Sequence, residues 1–175
     1  MLRPLALSLA LAAPALAPAH AGGGMVDGIV LGVLAHEIAS DDEGGVDVNL
    51  EVRLRPLFGR DWAVAILPTA GATVNLGGDT DTAYLGATAR YALTPSLDLE
   101  GFLGLAIHDA RTPNDVDRLD LGCRILFREG AGIVYRRGAH TLGLYASHAS
   151  HGGILCGADE NDGMTGAGLR YGYRF

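Results

Sequence analysis

The chain has 175 residues, enough for one domain, and a formal charge of −7 with arginine as its only strong base. That balance excludes a nucleic-acid binder, which needs a basic surface. Mean hydropathy is +0.22, yet no apolar run beyond the N-terminal segment reaches the about 20 residues of a spanning helix. The apolar content is distributed, as alternating strands distribute it.

Residues 1–21 read as a secretory signal peptide. Arg3 supplies the positive start, Leu5 to Ala17 the apolar run, and Ala19-His20-Ala21 a small-x-small cleavage site. Residues 22–175 are then one domain.

Within that domain the spacing predicts a series of strands. Val26 to Ile38 is the first. Val46 to Arg55 is the clearest: Val46, Val48, Leu50, Val52 and Leu54 alternate with Asp47, Asn49, Glu51, Arg53 and Arg55. Trp62 to Leu76 puts Trp62, Val64, Ile66, Val74 and Leu76 on one face. Ala83 to Leu93 puts Leu85, Tyr91 and Leu93 outward and Tyr84, Thr88 and Arg90 inward. Leu97 to Ile107 puts its leucines outward, with Asp98, Glu100 and His108 inward. Leu119 to Arg136 reads as one long strand with a bulge or bend at Gly130 and Gly132. Two more strands fill the last quarter, giving an all-β, eight-stranded antiparallel transmembrane barrel of the outer membrane.

The connections alternate in character. Leu57 to Asp61, Thr94-Pro95-Ser96 and Arg137-Gly138 are short. Ser40 to Gly45, Gly77 to Asp81, Asp109 to Arg118 and Gly152 to Asn161 are longer and acidic. Short periplasmic turns and longer extracellular loops are the rule for such barrels. A soluble β-barrel or sandwich would bury the apolar faces instead. Against it stand the aromatic C-terminal strand and an inward set of both signs. Asp47, Glu51, Asp98 and Glu100 face Arg53, Arg55, Arg90, Arg124, Arg170 and Arg174. An eight-stranded barrel is just wide enough to be filled by side chains, so these charges should pair and plug the lumen.

In the last quarter, Leu142, Leu144, Ala146, His148 and Ser150 share a face, as do Ala167, Leu169, Tyr171, Tyr173 and Phe175. His148 and Ser150 therefore fall on the lipid-facing side near the extracellular end. Neither residue type helps a lipid-facing strand, and together they make a nucleophile and a base. They lie about 6.6 Å apart along the strand.

The text from His148-Ala149-Ser150-His151-Gly152-Gly153 through Asn161-Asp162-Gly163-Met164-Thr165 to the closing Phe175 resembles the lipid A 3-O-deacylase (PagL) family. The resemblance implies hydrolysis of the 3-linked acyl ester of lipid A by Ser150 and His148. It also implies a membrane-embedded barrel whose partner is lipopolysaccharide in the outer leaflet, with no cofactor. Two positions depart from the family pattern. His151 replaces an Asn after the serine, and Thr165 stands where the family has the acid that orients histidine.

Thr165 shares the outward face and can bond an imidazole, though without a carboxylate's charge. Asp159, Glu160 and Asp162 are candidate substitutes from the loop. Backbone N–H groups of His151, Gly152 and Gly153 are candidate oxyanion donors. Cys123 and Cys156 would enter an oxidising compartment and are a candidate disulfide. His148, His151, Cys156 and Asp159 lack the spacing of a closed metal site, so no metal is expected. His36 reads as a rim residue and His108 as a lumen residue. A homodimer is left open. The alternative from another class is a catalytically impaired or non-enzymatic small barrel with a structural or surface-interaction role.

Overall fold

The computed structural model describes residues 24–59, 64–110, 119–157 and 161–175. The expected signal peptide, Trp62, most of the loop to Arg118, and Asp159 with Glu160 lie outside them. Eight strands follow in chain order: β1 Val26–Ala35, β2 Val46–Leu54, β3 Val64–Asn75, β4 Thr82–Thr94, β5 Leu97–His108, β6 Ile125–Arg137, β7 His140–Ser150 and β8 Met164–Arg174. Each pairs antiparallel with the next, and β1 closes on β8, as in Leu31 opposite Tyr171. Closure removes the sheet edges, which a lipid solvent could not satisfy.

Period two then sorts the side chains. Leu31, Val33, Val48, Leu50, Leu85, Leu99, Leu103, Leu105, Ile133, Leu144 and Leu169 are exposed on the outside. Asp47, Asn49, Glu51, Arg53, Thr69, Thr88, Arg90, Asp98, Glu100, Arg128 and Arg170 are buried within. That inversion of the soluble pattern marks a barrel whose solvent is lipid.

The lumen is a paired network. Arg53 bonds Glu51 at 2.6 Å and holds Glu100 with both guanidinium nitrogens at 2.6 and 2.8 Å. Arg90 shares Glu100, and Arg170 pairs with Glu51. Tyr84 Oη donates to Glu51 and accepts from Asn49. Arg128 and Arg170 lie over the rings of Tyr84 and Tyr145, at 4.5 and 4.0 Å from the ring centroids. Buried charge is tolerated when it is paired and hydrogen-bonded in this way.

Three expectations are corrected. The long strand from Leu119 starts only at Ile125, and Leu119 and Leu121 instead pack with Leu126, Ala149, Met164 and Cys123 in an apolar cluster at the loop end of the barrel. Gly130 and Gly132 make no bulge, since β6 keeps unbroken register with both neighbours. Their role is space: a Cβ on Gly130 would collide with the phenol of Tyr145, which fills the lumen there. Arg124 is not in the lumen. It precedes β6, is exposed, and donates to the His108 carbonyl.

His36, expected at the rim, is buried at the same mouth. Its Nδ1 meets Asp47 at 2.8 Å and its Nε2 meets Glu43 at 2.9 Å. Burial opposes its charge, but these two carboxylates outweigh burial and push His36 up to about 9. Burial likewise works against the Glu43 charge, yet His36 and Thr80 hold that carboxyl down to about 2. Glu43 also accepts from the Thr80 hydroxyl and the Leu119 N–H, joining three loops.

Candidate active site

β7 delivers His148 and Ser150 to its outer face, both half-buried, while Ser147 and Ala149 point inward. Register places His148 between Glu129 on β6 and Thr165 on β8, and Ser150 opposite Phe127. His148 Nδ1 and Thr165 Oγ1 are hydrogen-bonded at 2.8 Å. The hydroxyl thus meets the imidazole, as the sequence reading expected of Thr165. Thr165 is itself fixed by its backbone, because its N–H donates to Glu37 Oε2 at 2.7 Å and its carbonyl accepts from Ile38. Glu37 holds a positive φ of 29° and also receives the amides of Ala39 and Ser40.

The other edge of the imidazole faces Gly163, one step before β8. A Cβ there would lie 2.6 Å from His148 Cε1 and 3.2 Å from Nε2. Gly163 also adopts φ +72°, which favours glycine. The Nε2 edge therefore points toward the strand end where Ser150 stands. Ser150 Oγ makes no hydrogen bond among the described residues, so His148 and Ser150 share a face without being bonded. Such bonds tighten in many enzymes only when substrate arrives.

Asp162, a candidate acid, is turned away. Its carboxylate accepts from the Asp120 N–H at 2.8 Å. The loop leaves β7 through Gly152 and Gly153, both at positive φ. Of the three candidate oxyanion donors, His151 commits its N–H to Asn161 Oδ1 and Gly153 commits its own to His151 Nδ1. Among the described residues, the Gly152 N–H is the donor left over. His151 is buried, on the opposite side of the sheet from His148, so the two do not share a ligand set. Cys123 and Cys156 are joined by a disulfide with Cα atoms 6.2 Å apart, tying the β5–β6 and β7–β8 connections together. The ligand atoms of Cys123, His151 and Cys156 come within 4.8 Å of one another, with both sulfurs taken up in that bond.

The outer wall gives these residues their contrast. Away from the strand ends, the outward positions of the described strands are aliphatic, aromatic, proline or glycine. The exceptions are Glu129, His148 and Thr165, with Ser150 closing β7 on the same face. Sequence reading missed Gly163 and Glu37 as supports. Their signals were a glycine in the Asn-Asp-Gly turn and a charged residue just past an apolar strand.

Comparison with known proteins bears on the same elements. The family model described as lipid A 3-O-deacylase (PagL) matches residues 44–174, which includes β2 through β8. No curated protein sequence matches the chain. Among solved structures, the crystal structure of the outer membrane enzyme PagL is 17% identical, with TM-score 0.61. The match covers 83% of this chain and 99% of that one. Two structures of the Yersinia pestis protein Ail also match. One, the backbone structure in a phospholipid bilayer nanodisc, has TM-score 0.52 at 15% identity, covering 87% and 100%. The other, a crystal structure, has TM-score 0.51 at 16% identity, covering 86% and 98%. At these identities the likeness is one of fold, and the comparisons give no support to a homodimer. The family match spans the strands that carry His148, Ser150 and Thr165, and on that match the chain belongs to the lipid A 3-O-deacylase (PagL) family.

Proposed function

We propose that this protein is an outer-membrane lipid A deacylase that hydrolyses the 3-linked acyl ester, with Ser150 as nucleophile and His148 as general base. The observation that carries the reading is the His148–Thr165 hydrogen bond on a largely apolar outer wall, with Ser150 on the same face. A lipid substrate arrives laterally in the leaflet, so its site needs no pocket within the barrel. The expected cleaved signal peptide, residues 1–21, fits export to that membrane.

With Nδ1–H donating to Thr165, Nε2 keeps the lone pair needed for the Ser150 proton. Ser150 Oγ attacks the ester carbonyl carbon as its proton passes to Nε2. The oxyanion meets the Gly152 N–H. Collapse breaks the bond to the sugar oxygen, which leaves with the proton from His148. Water then repeats the sequence on the acyl-enzyme, releasing the hydroxyacyl chain as its acid and restoring Ser150.

A second reading, a catalytically impaired or non-enzymatic barrel with a surface role, is favoured by Thr165 in the acid's place and by the unbonded Ser150 hydroxyl. Mass spectrometry of lipid A from cells expressing the wild type and Ser150→Ala separates the two. Loss of one 3-linked hydroxyacyl chain in the wild type alone supports the deacylase. Unchanged lipid A with folded wild-type protein in the outer membrane moves the second reading ahead.

A further inference from the structure

Among the described residues, the outer wall carries one carboxylate away from the strand ends. Glu129 lies on the outward face of β6, exposed, directly opposite His148 on β7 and opposite Leu103 on β5. It has no hydrogen bond or ion pair among the described residues. A charged side chain on a lipid-facing wall is unfavourable, and this one stands at the level of the only imidazole among the described strand-interior outward positions. Thr165, His148 and Glu129 form one row across three strands, with Ser150 two residues further along β7.

We propose that Glu129 is a positioning residue for His148, supplying from β6 the negative charge that Thr165 lacks on β8. The inference rests on the esterase reading of Ser150 and His148. Directly opposed residues have Cβ atoms about 4.5–5.5 Å apart, within reach of a flexible glutamate. Thr165 occupies Nδ1, and Nε2 serves the reacting serine. Glu129 therefore lies alongside the ring and acts by charge. No proton passes to it; it stabilises the imidazolium formed when His148 takes the Ser150 proton. Low-dielectric surroundings make such a charge more effective than in water.

The neighbouring charges are engaged elsewhere. Glu37 holds the Thr165 amide, and Asp162 holds Asp120. His151 is buried on the other side of the sheet, while Arg128 donates to Ser147 within the lumen. Position 165 and position 129 flank the same ring from opposite sides, so a charge could be moved from one to the other.

The test uses the full-length protein in liposomes containing lipid A. Glu129→Gln should lower kcat on the order of 10²-fold, with KM nearly unchanged, whereas Glu129→Asp should keep part of the activity. A carboxylate favours the protonated ring, so its removal should move the acidic limb of the pH–rate profile to lower pH. Adding Thr165→Glu to Glu129→Gln should restore kcat. An unchanged kcat in Glu129→Gln overturns the assignment. So does a loss with an unmoved limb and no recovery by Thr165→Glu, which is the behaviour of a packing residue. Should wild type itself leave lipid A intact, the esterase reading fails separately. The 15N chemical shifts of the His148 ring then decide the pairing: a change in Glu129→Gln supports it, and identical shifts overturn it.

Discussion

Glu51, Arg53 and Glu100 in the lumen, and His148, Ser150 and Thr165 on the outer wall, are both polar sets placed in a protein that faces lipid. In the lumen, Arg53 bridges both carboxylates and little of the set is reachable. On the wall, His148 has one partner at 2.8 Å, and the Ser150 hydroxyl has none among the described residues. Complete pairing yields rigidity and no chemistry. On the proposed reading, incomplete pairing at a half-exposed position leaves a lone pair and a hydroxyl for a substrate. The two sets should therefore fail independently, one through stability and the other through rate.

The largest separation is expected from Arg53→Met. It leaves Glu100 with Arg90 alone and Glu51 with Arg170 and Tyr84, and removing one partner of a buried ion pair costs about 3–5 kcal/mol. Urea titration of the folded barrel in liposomes should show that loss, while activity per folded molecule stays at the wild-type level. Unchanged stability would mean that water or relaxed neighbours replace the guanidinium, and the contrast between lumen and wall would weaken.

Next comes Gly163→Ala. Its Cβ would press on His148 Cε1 at 2.6 Å, at a backbone φ of +72°. Misplacing a catalytic group by about 1 Å costs on the order of 10²-fold in rate. Lipid A deacylation should fall by about that factor, with heat-modifiable migration of the barrel preserved. Full activity would show that the imidazole is not held against Gly163 during turnover.

Thr165→Val should act more gently. It removes a neutral hydrogen bond worth about 0.5–1.5 kcal/mol, so kcat should drop by about 10-fold at most. Barrel stability should hold, because the side chain faces outward. A loss as deep as that of Ser150→Ala would mean that Thr165 contributes more than orientation.

Much of this was legible in the sequence because the side-chain period in a strand is two. Val46 to Leu54 assigns its own faces, and so do Leu97 to Ile107 and Leu142 to Ser150. The same parity put His148, Ser150 and Thr165 on one wall before any pairing was known. What parity could not supply was neighbours across strands. Arg124 looked like a lumen cation because the stretch from Leu119 was read as continuous strand, and only the loop fold shows it outside. That same continuous reading left the faces of β6 unassigned and hid Glu129 beside His148. Gly130 looked like a bend because its reason, the Tyr145 ring, belongs to another strand. The oxyanion candidates were narrowed only by knowing which N–H groups the turn itself uses.

The mouth of the barrel offers the smallest and most local test. His36, Glu43 and Asp47 lie between the lumen and the loops, and their charges are coupled. His36 titrates at about 9 in the folded chain against an ordinary value of 6.5. Its contribution is complete below about 6.5 and fades as pH rises through about 9. Glu43, held at about 2 against 4.5, contributes fully above 4.5 and loses that contribution as pH falls through about 2. The latch is therefore strongest between about 4.5 and 6.5. Hydrogen exchange at the Thr80 and Leu119 amides, which donate to Glu43, should quicken from pH 6.5 to 9 beyond the intrinsic base-catalysed rise. In Glu43→Gln that excess should shrink, because His36 loses one of its two carboxylate partners. An excess of the same size in both proteins would remove the latch. If the exchange responds while deacylation per folded molecule does not, mouth and wall are separate devices, and the contrast between paired and unpaired polar sets extends to a third region.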